Sequence, residues 1–290
     1  MPSILIQLSA VERLAAGGSV LPTDFARALS EDIEYARFGA ALADLPSFDG
    51  IAGGLRGLVS NRPPRHFAKL FHQQAPVAMG LKMAELVASG ALVGKEPGRA
   101  FVAGYFTHLC VDRAVRPLLY RLAQKRRRPD ESEAHSRRRV GWERAVCYLR
   151  EMHGREMIGN PAVRSKFQLL KRQGLPTWGI GRGLFELVRL SSQETLGEAP
   201  TKREVDRWVR GLYLYGLVLG SPLGRARSVD IDEPPSDAAL FSTAIDQALE
   251  MTRVALGHLH ALLERTRFST RARQGFLATF PETGLEPCIS

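Results

Sequence analysis

A chain of 290 residues that is 44% hydrophobic and 24% charged is long enough to bury a sizeable core without covalent staples. Its three cysteines, Cys110, Cys147 and Cys288, are widely spaced and form no CxxC pair, which argues against a disulfide framework and fits a reducing compartment. The formal net charge of +10 favours anionic partners, a phospholipid surface or a nucleic acid.

The pattern is helical nearly throughout. Ile4, Leu8, Val11 and Ala15 fall on one face of a first helix over residues 3–16. Thr23 and Asp24 offer N-caps for a second, running to about Ala36. The small-residue run Gly39–Pro46 reads as a tight loop entrance, and the Gly- and Pro-rich residues 47–64 as loop with a short helix at most. Residues 65–90 are helical again, divided or kinked at Pro76. From about Pro97 to Leu122 the chain is apolar on most sides, the signature of a helix at the centre of a domain.

A charged connector, QKRRRPDESEAHSRRR, leads to a helix over Val140–Gly154, and Asn160–Pro161 open a further segment. Residues 184–197 and 201–219 are helical, the second opening on a Thr201/Glu204 capping box. Residues 221–237 form a linker. A long helix over Ser236–Thr266 follows, with Ile245, Leu249, Thr252, Leu256, Leu259 and Leu263 as its stripe, and an irregular tail from Phe276. The expectation is an all-α multi-helix bundle, with residues 1–160 as a core carrying the site and 161–290 as a helical extension packed on the same domain. No stretch approaches the ~20 apolar residues that span a bilayer. The first residues lack the basic start of a secretory signal, so the expected location is the cytoplasm, with no transmembrane segment.

The pattern with most chemical content is His108-x-x-x-Asp112 inside GYFTHLCVDRAVRP. Residues four apart share one helix face, and an imidazole with a carboxylate there suits a divalent ion, zinc in particular. A buried carboxylate is costly unless paired or metal-bound. The competing reading is an ion pair, His108–Asp112 or Asp112 with Arg113 or Arg116.

The other candidates are single residues. Asp44 is either a ligand or a helix cap. Of His66 and His72, six apart on different faces, His72 is the better inward candidate. His258 and His260 read as surface residues, and His135 and His153 as solvated. The basic runs Lys125–Arg128 and Arg137–Arg139 flank Asp130, Glu131 and Glu133 without interleaved aromatics, which argues against nucleic acid and leaves an anionic lipid surface as a secondary partner. GIGRG at 179–183 lacks a preceding strand and is no nucleotide loop. There is no GxSxG and no Walker motif.

These segments together resemble the zinc-dependent phospholipase C family. MPSILIQLSAVERLA is similar to its opening, YARFGAALADLPSF to a Gly-Ala-x-x-Pro-Asp-Leu-Pro-x-Phe signature, and FAKLFHQQAP to its next histidine segment. AFVAGYFTHLCVDRAVRPLLY is similar to a run ending in H-x-x-x-D-x-x-x-H-P, and FPETGLEP resembles a segment near its end. The resemblance implies a helical bundle around up to three zinc ions that bind phosphate and activate water for hydrolysis of a phospholipid or other phosphodiester. It implies Asp44, His72, His108 and Asp112 as ligands, with His66 and His135 as secondary candidates, and one or two zinc ions.

The sequence departs from the pattern at Gln7, where a first histidine is expected, and at Arg116, where the H-P histidine belongs. A later H-x-x-x-E pair falls on Arg137 and Gly141, with His135 or Glu143 as substitutes after a register shift. A guanidinium has only donors and cannot ligate zinc, but it can hold a phosphate directly. Two functional readings follow: a metal-dependent phosphodiester hydrolase with a partly degenerate site, or a non-catalytic helical scaffold binding an anionic ligand or a protein.

Overall fold

In the computed structural model the described residues are 4–17, 20–51, 66–153, 167, 171–172, 175–176, 179–221, 235–263 and 269–282. Eleven α-helices account for most of them: α1 (Ile4–Ala16), α2 (Thr23–Glu31), α3 (Ile33–Ala41), α4 (His66–Gln73), α5 (Pro76–Ala88), α6 (Lys95–Lys125), α7 (Glu133–His153), α8 (Arg182–Leu196), α9 (Lys202–Leu219), α10 (Pro235–Leu263) and α11 (Thr270–Thr279). The only strands among the described residues are a two-residue antiparallel pair, Lys171–Arg172 with Leu175–Pro176. The all-α expectation holds. No described helix is long and apolar enough to cross a membrane.

The organising element is α6. Residues Ala100–Asp112 are all buried, so the helix has no solvent face over three turns, and α1, α2, α3, α5, α7 and α10 pack around it. Its closest neighbour is α3, and glycines permit the approach. A β-carbon at Gly104 would lie 1.8 Å from the Ala36 carbonyl oxygen, and one at Gly39 1.9 Å from that of Phe101. Gly39 is therefore a helical contact residue and not part of a loop entrance. Small-residue runs serve both purposes, and tertiary packing decides between them. One hydrophobic cluster takes members from α1 through α11, so residues on both sides of position 160 share a core.

Other boundaries shift for local reasons. The helix expected from Thr23 to Ala36 breaks at Asp32, whose carbonyl starts α3 by accepting from Tyr35 N at 2.9 Å. The side chains of Thr23 and Asp24 do not cap α2, which starts after Pro22. The charged connector is half helical, because α7 begins at Glu133, and the supposedly irregular tail is helical as far as Thr279. The Thr201/Glu204 capping box is present. The segment at Asn160–Pro161, residues 52–64 of the Gly- and Pro-rich stretch, residues 222–234 of the linker expected over 221–237, and Cys288 lie outside the described residues, while 235–237 belong to α10.

Pro76 does divide residues 65–90: Ala75 adopts a left-handed φ of 51° and α5 starts at Pro76. With no amide hydrogen on Pro76, the first donors of α5 are Val77 and Ala78. Both are received by the Glu282 carboxylate, at 2.9 and 2.7 Å, where negative charge also suits the helix dipole.

Just beyond the end of α6, two buried carboxylates, Glu131 and Asp237, are satisfied by part-buried arginines. Arg139 Nε donates to Glu131 Oε1 at 2.9 Å and Nη2 to Oε2 at 2.8 Å, with Arg128 N adding a bond to Oε2. Arg139 also reaches Glu143, and Arg126 pairs with Asp237 of α10. Arg139, above all, holds the Glu131 carboxyl down at about 2.

Candidate metal centre

Three segments converge on the middle of α6. The first is the turn after α3, where successive turn bonds, Leu42 N to Gly39 O and Asp44 N to Ala41 O, bury Leu42, Ala43, Asp44 and Leu45 together. Asp44 precedes a 3-10 turn, Leu45–Phe48, yet its side chain makes no cap bond. Of the two readings of Asp44, capping is not realised. The second segment is α4, held by Phe67 and Phe71 against Trp208 of α9. That anchoring turns His72 inward. The third is α6 itself, with His108 and Asp112 one turn apart.

Asp44, His72 and His108 each offer a ligand atom, and these atoms lie within 4.8 Å of one another. All three residues are buried. His72 Nε2 is 3.3 Å from Asp44 Oδ1, and the two imidazole Nε2 atoms are 3.2 Å apart. Each ring is oriented through its other nitrogen. His108 Nδ1 donates to the Ala40 carbonyl and His72 Nδ1 to the Ala68 carbonyl, both at 2.7 Å. A carbonyl only accepts, so both Nδ1 atoms carry hydrogen, and in the neutral rings both Nε2 atoms present lone pairs.

Burial lowers the His108 pKa, against the opposing pull of Asp112 and Asp44, which favours that neutral form. Two lone pairs facing each other repel unless a cation or a proton lies between them. Asp44 Oδ1 is buried with no hydrogen bond, an expensive state for a carboxylate oxygen unless an ion compensates it. Backbone carbonyls that fix the outer imidazole nitrogens are the usual support of metal-binding histidines. The residues fit a divalent ion.

Asp112 borders this group. Its Oδ2 is 3.6 Å from His72 Nε2 and 3.7 Å from His108 Nε2, but that oxygen also accepts from Arg116 Nη2. Its Oδ1 accepts from Gln7 Nε2 at 3.2 Å. Burial pushes the Asp112 pKa up, but Arg116 and then the two imidazoles outweigh it and the net shift is downward, so the group is a carboxylate. Among the ion-pair alternatives Arg116 is the partner. Arg113 turns away to the Pro281 carbonyl and stacks over Phe280.

The two secondary histidines do not join the cluster. His66 is exposed on the other side of α4 and contacts Glu198. His135 is exposed on α7 beside Glu131. Glu143 is taken by Arg139 and Arg126. The orienting carbonyls of Ala40 and Ala68 were not legible from residue types. The nearest signal for Ala40 is Gly39 next to it, which brings α3 against α6.

No family model matches the chain, and neither a curated protein nor a solved structure does.

Proposed function

We propose that this chain is a zinc-dependent phospholipase C-like protein with a reduced metal centre, in which Asp44, His72 and His108 hold one zinc ion and the substrate is a phospholipid or other phosphodiester. The observation that carries this reading is the pair of Nε2 atoms 3.2 Å apart, each ring held through Nδ1 by a backbone carbonyl, beside the Asp44 oxygen with no hydrogen bond. Three nitrogen and oxygen donors with a position left over is the composition of catalytic zinc sites. When bound, the ion supplies Lewis-acid polarisation and water activation. The chain's own part is to hold the histidine tautomers through Ala40 and Ala68, keep the ligands dry, and offer Arg116 as a positive contact for a phosphate. Exposed Arg121, Lys125, Arg127 and Arg128 supply charge toward an anionic lipid surface.

A second reading is favoured by one observation. Asp112 is committed to Arg116, so a carboxylate that could serve a second metal serves a guanidinium instead. On that reading the protein is a non-catalytic helical scaffold with a single structural zinc.

Purification with zinc supplied throughout, metal analysis, and assay on a chromogenic phosphocholine diester separate the two. The enzyme reading expects about one zinc per chain and turnover, with zinc affinity falling ~100-fold in His108→Ala. Zinc without turnover leaves the scaffold. A wild-type protein that takes up no zinc overturns both.

A further inference from the structure

Asp112 stands close to where a fourth ligand would stand, yet both of its oxygens are engaged. Oδ2, within 3.7 Å of both Nε2 atoms, accepts from Arg116, and Oδ1 accepts from Gln7. Asp44, of the same chemical type and equally buried, has an oxygen with no hydrogen bond. The two carboxylates differ in their donors: Asp112 has Gln7 and a cationic one, Arg116 one turn along α6. A guanidinium stays protonated at any working pH, so its hold on Asp112 is constitutive. It also adds a positive charge beside a site built for a cation.

We propose that Arg116 is a fixed counter-cation that withholds Asp112 from the metal, so that Asp112 is a reserve fourth ligand and an arginine that cannot ligate sets the affinity and coordination number of the site. This rests on the metal-binding reading above. Two cations compete for one carboxylate oxygen. Replacing the guanidinium with a neutral side chain leaves Asp112 buried without its permanent cation, and a bound ion takes over as its countercharge.

The test uses the full-length chain and zinc alone, with affinity read by competition against a chromogenic chelator and ligand number by the absorption of the cobalt(II) form. Arg116→Met is expected to bind zinc about 10-fold tighter or more than wild type, with an altered cobalt band and a larger zinc-dependent rise in Tm. The double variant Arg116→Met/Asp112→Asn has the same net charge at the site as wild type. It is expected to stay within about 3-fold of wild type and to share its cobalt band. A double variant about 10-fold weaker than wild type would show Asp112 already on the metal and overturn the proposal, as would Arg116→Met binding no tighter. If Arg116→Met is too unstable to handle, the charge-matched comparison of wild type and double variant still decides whether Asp112 ligates. A wild-type protein without zinc affinity would be the separate failure of the metal reading itself.

Discussion

Charge is buried at two places along the bundle, one at the middle of α6 and one just beyond its end, and the two are solved differently. In the loop between α6 and α7, Glu131 has both oxygens filled by Arg139 and a backbone amide besides. At the middle of α6, Asp44 has an oxygen with no hydrogen bond, and two imidazole Nε2 atoms lie 3.2 Å apart while both Nδ1 atoms are held by backbone carbonyls. Burial and charge are common to both regions, so neither marks a binding site. What distinguishes the middle is acceptor capacity left over after the protein's own donors are counted. Asp112, between the two extremes, shows how one arginine moves a carboxylate from the second condition to the first.

The comparison breaks most severely if the close approach of α3 and α6 is removed. Gly104→Ala drives a methyl group into the Ala36 carbonyl and is expected to cost about 3 kcal/mol in denaturant unfolding. It is also expected to weaken zinc binding, because the Ala40 carbonyl that orients His108 moves with α3. Gly257→Ala, on α10 with nothing within 4 Å, is the control and should stabilise by about 0.5–1 kcal/mol. Equal effects of the two substitutions would show that the α3–α6 contact does not position the site.

How much of this was readable beforehand follows from which interactions are local. The core status of α6, the His108/Asp112 face, the division at Pro76 and the Thr201 capping box all depend on spacing within one segment, and spacing is visible in a sequence. Asp44 and His72 reach the site through packing of other elements, Phe71 on Trp208 and Gly39 on Phe101, which no single segment encodes. Gly39 was misread for that reason, since a glycine beside alanines and a proline has loop composition wherever it lies. The start of α7 at Glu133 was hidden by its charge. The Glu133–Arg137 and Arg139–Glu143 pairs, each one turn apart, stabilise a helix that has little apolar pattern at its beginning.

A smaller effect sharpens the contrast from the saturated end. Glu131→Gln is expected to lower Tm at neutral pH while leaving zinc affinity unchanged. The Glu131 pKa drops from 4.5 to about 2 on folding. Its contribution is therefore present above 4.5 and disappears as pH falls through about 2, so wild type and variant should converge in Tm over that window. A difference that persists at the lowest pH would show that the glutamate acts by shape and not by charge. The smallest expected effect is none at all. Burial pushes the Cys110 thiol up to about 12, so native protein treated with iodoacetamide at pH 8 should show Cys110 unmodified by peptide mass spectrometry. Alkylation there would mean that the α6 midpoint opens to solvent.

The carboxylate that starts α5 has a consequence for the order in which the molecule is completed. Val77 and Ala78 wait for Glu282, 205 and 204 positions further along the chain. A chain emerging from the ribosome presents α4, α5 and α6 long before it presents that acceptor, so the junction between α4, which carries His72, and α5 is among the last features to be secured. A nascent chain can thus gather its core around α6 before the junction that carries His72 is secured, and the site acquires its final geometry only once the chain has been made as far as Glu282.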